Sequence, residues 1–312
     1  MQMRFDYQAH AFVETELAPP YEYAGRVYEP SVVSYFAHDV GSIDLNANGW
    51  RDLVIPLNKG YQTGIDTRTP FMALMNDQGQ LGLDRDWQAQ MPVVSGARRL
   101  EHLVLGPDKT PAIATVQHET GDEIGASFIL MTPEKDDGSV QQPDLVPPLP
   151  FSQAEGRDDF VNAHSLAAGD VNGDGLDDLV VGNWHWRADA IDKELGPYVL
   201  RQQADGTFDV DETAVPSEIY DGLLDLHLYD YNGNGLDDLI VGQQNAPMGS
   251  RVLINQGGEY VTGASVTLPP SAYGTDNQLH LKTFSEDFTG DGIEELLILW
   301  SRAEPYYGGN YL

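Results

Sequence analysis

The chain has 312 residues, 41% of them hydrophobic and none of them cysteine, so a large core can form while disulfide frameworks and thiolate metal sites are excluded. Its 49 acidic against 17 basic residues give a net charge of −32, which repels phosphate backbones and argues against a nucleic-acid partner. No stretch approaches the run of about 18 apolar residues that a membrane helix needs, so no membrane insertion is expected, and 32 Gly with 19 Pro favour many short strands.

In chain order, the first residues read MQMRFDYQAHAF. They lack a basic region followed by an apolar core, so no signal peptide is expected in this sequence. Residues 3–19 are similar to the end of a later repeat, 200–215. Residues 1–43 are therefore expected to complete a closing blade.

An acidic loop then begins at Asp44 (DLNANGWRDLVIP), and it returns at Asp170 (DVNGDGLDDLVVG), Asp230 (DYNGNGLDDLIVG) and Asp287 (DFTGDGIEELLIL). The starts lie 126, 60 and 57 positions apart. The first gap is two periods long, which predicts a degenerate copy near residue 107. There Leu103 to Val116 keeps a strand–turn–strand shape without the acidic spacing. In each repeat an apolar strand leads into the loop and a β-rich strand leaves it, as in Leu179-Val180-Val181. A third strand (Phe71–Met75, Ser127–Met131, Tyr198–Arg201, Arg251–Ile254) and a Gly turn with an outer strand close the unit. Five repeats of four short strands, starting near 44, 107, 170, 230 and 287, predict an all-β chain forming one β-propeller domain over 1–312. The last repeat stops at Asn310-Tyr311-Leu312, so a fragment of a seven-bladed ring is the alternative architecture. A β-sandwich with one odd loop fits four loops in register poorly.

The loops obey D-x-[DNT]-x-[DN]-G-x-x-[DE]. Oxygen ligands at positions one, three, five and nine wrap one ion, the carbonyl of position seven adds another, and the glycine at six permits the tight turn. The candidate ligands are Asp44, Asn46, Asn48, Trp50 (carbonyl) and Asp52; Asp170, Asn172, Asp174, Leu176 (carbonyl) and Asp178; Asp230, Asn232, Asn234, Leu236 (carbonyl) and Asp238; Asp287, Thr289, Asp291, Ile293 (carbonyl) and Glu295. All-oxygen donors without His or Cys select Ca2+, up to four ions, over zinc or copper. The loops at 170 and 287 carry three carboxylates each and are expected to fill first. An EF-hand is excluded, because its twelfth position would be Val181, Val241 or Ile298 rather than a bidentate Glu. Four bound ions would cancel only a quarter of the net charge, so most of the acidity is surface.

These residues resemble the FG-GAP/VCBS repeats of integrin α-chain-like propellers and of many secreted bacterial proteins. The resemblance implies calcium loops between the first and second strands of the blades, on the bottom face. Two departures are the degenerate repeat near 107 and Arg51, which stands where an acid or a small residue is the rule.

Opposite those loops, aromatic residues are candidate ligand-binding groups: Trp184, His185 and Trp186, and Trp300 with Tyr306 and Tyr307. Tyr61, Tyr21, Tyr23, Tyr28 and Tyr273 would join them. Flat apolar rings beside polar side chains suit a carbohydrate or protein partner. His38, His164 and His280 precede their loops by six or seven residues and are expected as strand-end polar groups rather than a metal ring. No G-x-S-x-G, H-E-x-x-H or phosphate loop occurs. The expected function is a monomeric, noncatalytic binding or adhesion module, secreted or at the cell surface. A polysaccharide hydrolase or lyase, or a structural spacer, is the alternative.

Overall fold

Alternation decides which way each strand faces, and here both faces are apolar. In the computed structural model Leu179 and Val181 pack with Leu103, Ala112 and Leu130 on one side. Val180, between them, packs with Leu226, Leu239 and Leu253 on the other. A strand buried on both faces belongs to a sheet stacked between two others. The structure describes residues 39–58, 69–94, 99–116, 128–135, 138–145, 163–183, 197–216, 218–219, 222–243, 249–271, 274 and 277–302, with short strands at 2–6, 11–15, 21–23, 26–28, 36–37 and 310–311.

Five antiparallel sheets follow one another, each starting on its innermost strand. Blade 1 runs Gly41–Ile43, Asp52–Ile55, Met72–Asp77 and Gln80–Leu83. Blade 2 has three strands, Leu100–Leu105, Thr110–Val116 and Phe128–Met131, with a single bridge from Met131 to Gln141 where a fourth was expected. Blade 3 (Ala163–Gly169, Asp178–Asn183, Tyr198–Gln202, Phe208–Asp211) and blade 4 (Leu223–Tyr229, Asp238–Gln243, Arg251–Asn255, Tyr260–Thr267) are complete. Blade 5 is Leu279–Glu286, Glu295–Ser301 and Asn310–Tyr311. This succession of radially stacked, mostly four-stranded sheets is a β-propeller.

Cores lie between consecutive blades. Ile43, Val54 and Phe71 meet Leu100, Ile113 and Met131 between blades 1 and 2. Close approach requires glycine at some of these contacts. A Cβ on Gly182 would stand 2.9 Å from Leu226 Cδ1, and one on Gly242 would stand 2.7 Å from the His280 ring.

Residues 41–43 are the first strand of blade 1, so the assignment of all of 1–43 to a closing blade is corrected. They pair with Asp52–Ile55 because the loop at 44 turns them back on it. Strands Gln2–Asp6 and Ala11–Thr15 pair with each other, as do Tyr21–Tyr23 and Arg26–Tyr28. Among the described residues no ladder joins blade 5 to the N-terminal strands or to blade 1. One short helix, Arg85–Gln90, follows the outer strand of blade 1, and its start is capped by Asp84, whose Oδ1 accepts from Asp86 N at 2.8 Å and Trp87 N at 3.0 Å. Among the described residues no helix is long and apolar enough to cross a membrane.

Candidate metal loops and the central channel

Each acidic loop is folded by its own side chains. The first Asp accepts the backbone N–H groups of the fifth and sixth residues, and in the loops at 170 and 287 that of the fourth as well. Asp44 takes Asn48 N at 3.0 Å and Gly49 N at 2.8 Å, and Asp170, Asp230 and Asp287 repeat this on Asp174 and Gly175, Asn234 and Gly235, Asp291 and Gly292. The fifth side chain accepts from the seventh N–H in all four, at 2.8 to 2.9 Å. These contacts orient the side-chain oxygens of positions one and five toward the loop's own backbone.

The glycine at position six has φ between 84° and 86° in each loop (Gly49, Gly175, Gly235, Gly292), the left-handed region that other residues resist. Position four is left-handed too. Gly173, Gly233 and Gly290 fill it in three loops, but the first loop has Ala47 at φ 53°. Ala47→Gly is expected to stabilise the protein by about 1 kcal/mol by removing that strain. Urea unfolding of the variant against the parent checks this.

The ninth residue is the buried hub. Asp52, Asp178 and Asp238 are fully buried, and each Oδ1 accepts an N–H from the third strand of its blade: Asn76 at 2.7 Å, Gln202 at 2.9 Å and Asn255 at 2.7 Å. The second oxygen of Asp52 takes Leu45 N at 2.8 Å, and that of Asp238 takes Tyr231 N at 3.1 Å. Among the described residues Asp178 Oδ2 has no hydrogen-bond partner, with Arg201 Nη1 3.8 Å away. Burial raises the pKa of Asp52 and Asp238 and pushes Asp178 up to about 7, against the opposing pull of the Gln202 N–H and Arg201.

In the fifth blade the ninth residue is Glu295, which stays partly exposed. Its carboxylate accepts Phe288 N at 2.9 Å and Thr289 Oγ1 at 3.0 Å. Asp287, Asp291 and Glu295 bring oxygen atoms within 4.8 Å of one another, the one such acidic trio among the described residues. Oxygens on a calcium shell of radius about 2.4 Å lie no more than about 5 Å apart, so this donor set fits the ion. The loop at Asp170 has the same number of carboxylates but holds Asp178 back against Gln202 and Arg201. The two loops expected to fill first therefore differ in readiness.

Position eight links blades. Asp177 Oδ2 accepts Val104 N of blade 2 at 2.8 Å. Asp237 lies so close to blade 3 that a Cβ on Gly169 would fall 2.5 Å from its Oδ2, and it accepts the Asp170 N–H. Arg51 reaches instead to Ser42 Oγ of its own blade at 3.2 Å, which accounts for its departure from the repeat. The polar residue ending the third strand adds a second link. Gln202 Nε2 donates to Val104 O at 2.9 Å, and Asn255 Nδ2 donates to Val171 O at 2.7 Å.

Across the centre, the innermost strands of blades 3, 4 and 5 share a register shift, leaving Leu224 and Leu281 as bulged residues in blades 4 and 5. A bulge leaves a backbone group outside the ladder. Arg99 of blade 2 donates from Nη2 to the carbonyls of both leucines and stands 3.5 Å from Asp225 Oδ1. Asp225 Oδ2 accepts Thr283 N at 2.7 Å. His280 is fully buried, bonded to Thr283 Oγ1 at 2.7 Å, and burial pushes its pKa down to about 4, so it is neutral at pH 7. Its position matches the strand-end polar role expected of it.

Beside this network Lys282 Nζ stands 3.5 Å from Glu101 Oε1. Desolvation pushes Glu101 up to about 7, with Lys282 pulling the other way. A carboxyl whose folded-state pKa is raised takes up its proton on folding, so it favours the fold at low pH and costs stability as pH climbs from about 4.5 to 7. Glu101→Gln is expected to flatten that fall. Melting curves of both proteins between those limits test it, and parallel profiles would show Glu101 titrating normally.

Trp300 does not belong to a ligand face. The second strand of blade 5 extends through Ser301, and alternation turns Trp300 inward: it is 5% exposed, with its ring 4.7 Å from that of His280. Trp184, His185, Trp186, Tyr306, Tyr307, Tyr61, Tyr273 and His38 lie outside the described residues. So do the side chains of Tyr21, Tyr23, Tyr28 and His164.

Loop, following strand and repeat spacing together can be compared with known families. Residues 170–241 match the family model of the FG-GAP-like repeat. That match spans the loops of blades 3 and 4. Among solved structures, one described as glucose dehydrogenase is 16% identical, covering 86% of this chain and 96% of its own, with a TM-score of 0.32. A second, also a glucose dehydrogenase, is 13% identical over the same shares, with a TM-score of 0.30. No curated protein matches.

Proposed function

We propose that this protein is a calcium-stabilised binding or adhesion module, noncatalytic, monomeric, and secreted or displayed at the cell surface. The observation that carries the reading is the Asp287, Asp291 and Glu295 trio, set in a loop whose backbone geometry recurs in three other blades. Calcium supplies positive charge that offsets the repulsion between inward-facing carboxylates. The residues of the chain then hold the strands of each loop-bearing blade together through position nine, and tie blades 3 and 4 to the preceding blade through position eight and the polar residue ending the third strand.

Extracellular calcium suits loops of two or three carboxylates, whose affinity is modest. A carbohydrate or a protein is the partner class, because the surface is strongly acidic and repels nucleic acid and anionic membranes. Screening the labelled protein on glycan and protein arrays, in calcium and in chelator, tests the reading. Calcium-dependent retention on a defined set of spots is expected. Product release from a polysaccharide with no added partner would contradict a noncatalytic module.

A further inference from the structure

The loop at Asp170 is held by the blade that follows it, and each of its first four residues meets a residue of blade 4. Asp237, at position eight of the loop at Asp230, accepts the Asp170 N–H. Asn255 Nδ2 donates to Val171 O at 2.7 Å. A Cβ on Gly258, in the outer turn of blade 4, would stand 3.4 Å from Asn172 Cβ, and one on Gly173 would stand 3.0 Å from Leu236 Cδ2. Arg201, which faces Asp178 from the third strand of blade 3, donates from Nη2 to Gly258 O at 2.6 Å.

The clamping residues are themselves tied to the donors of the loop at Asp230. Leu236 offers its carbonyl at position seven, and Asp237 precedes the ninth residue. Asn255 N donates to Asp238 Oδ1 at 2.7 Å, while its side chain also donates to Asp237 O at 2.9 Å. Whatever orders residues 236–238 therefore orders the clamp on residues 170–173, and lowers the entropy cost of ordering that second loop. Asp237 also lies in the repulsive field of Asp170 and Asp230. A cation among the oxygens of either loop offsets that repulsion and favours the clamp. Asp178 Oδ2, buried and without a hydrogen-bond partner among the described residues, leaves the loop at Asp170 an oxygen for one.

This link is particular to the pair. The equivalent contacts from blade 3 land on Val104 and Gly106 of blade 2, at the turn that lacks the acidic spacing. Among the described residues blade 5 makes no hydrogen bond to residues 230–233, and Tyr229 Oη donates to Glu294 O at 3.1 Å instead.

We infer that the loops at Asp170 and Asp230 form one coupled unit, in which calcium held by either raises the affinity of the other, with Asp237 and Asn255 as the coupling residues. This rests on the reading of the loops as calcium sites and adds their regulation of each other. Equilibrium dialysis with radioactive calcium tests it on the full chain carrying Asp44→Ala and Asp287→Ala, which leaves these two loops. Adding Asp230→Ala or Asp170→Ala isolates each loop in turn. The product of the two stepwise association constants of the two-loop protein is expected to exceed the product of the isolated-loop constants by at least about fivefold, the lower end of typical coupling between sites. Asp237→Ala in all three proteins is expected to bring that ratio below about twofold, and a uniform change in affinity cancels from it. Asn255→Ala, which removes the other coupling side chain, is expected to lower the ratio too, so the test does not hang on one variant folding. Asp177→Ala, which cuts the equivalent contact to blade 2, is expected to leave it.

A ratio of about one in the two-loop protein, or below one because the ions repel, would overturn the coupling and leave the calcium reading standing. So would a ratio untouched by Asp237→Ala and Asn255→Ala, or one lowered equally by Asp177→Ala. Absence of bound calcium at both loops would overturn the two readings together.

Discussion

Asp238→Ala is expected to destabilise the protein by about 3 kcal/mol, more than any other single carboxylate removed from the loops. The side chain is fully buried and accepts from three donors at once: Asn255 N at 2.7 Å, Tyr231 N at 3.1 Å and Asn232 Nδ2 at 3.1 Å. Alanine leaves those donors without their acceptor, and an unmet buried donor costs about 1–3 kcal/mol. Asp238→Asn keeps one acceptor oxygen and removes a charge that burial disfavours, but it sets an amide NH2 against the other backbone N–H, so its loss should be smaller than that of alanine yet about 1 kcal/mol or more. Urea unfolding with an unchanged m-value for both variants is the measurement. Equal losses for Ala and Asn would mean that charge, not the acceptor geometry, is what the site requires.

Chelating divalent cations is the second large effect. An ion that binds the folded loops and not the unfolded chain stabilises by about 2.7 kcal/mol per site when present at a hundredfold excess over its dissociation constant. For a domain of this size each kcal/mol moves Tm by roughly 2–4 °C. Adding chelator should therefore lower Tm by several degrees, and restoring calcium should recover it. Magnesium at the same concentration should recover less, because its small octahedral shell fits a flexible carboxylate loop poorly. The Asp287→Ala variant should lose part of the calcium response, and in chelator its Tm should fall by less than that of Asp238→Ala, since its loop is more exposed than the buried ninth carboxylates. A Tm indifferent to chelator would leave the loops as hydrogen-bonded turns.

Those loops were legible because their physics is local. The first Asp bonds residues four and five positions on, and glycine sits where φ must be positive, so the pattern reads directly from spacing. Short apolar and β-rich runs on either side of each loop marked the strands for the same reason. What the sequence hid is long-range. Arg99 meets carbonyls 125 and 182 residues away, an encounter created by two bulges that leave no mark in composition. Asp177 and Asp237 stood in the motif at position eight, yet their role is toward the preceding blade rather than the ion. The doublet DD in the loops of blades 3 and 4, against WRD in the first, was the available signal. Gln202 and Asn255 were marked only as polar residues closing an otherwise apolar third strand. Trp300 was misplaced because strand length, which a repeat pattern does not fix, decides whether the sixth residue of a strand is still inside. Equal counting of carboxylates likewise ranked the loops at 170 and 287 together, although the third-strand N–H of Gln202 and the Arg201 guanidinium set Asp178 apart from Glu295.

We propose that these loops hold calcium, with that of the fifth blade the best prepared. Calorimetric titration of calcium into the metal-stripped protein, beside the Asp287→Ala and Asp170→Ala variants, tests it most directly. Saturable binding is predicted, with the tightest phase lost in Asp287→Ala and retained in Asp170→Ala. No binding heat in the parent and no displacement of a calcium indicator, or a tightest phase untouched by Asp287→Ala, would contradict it.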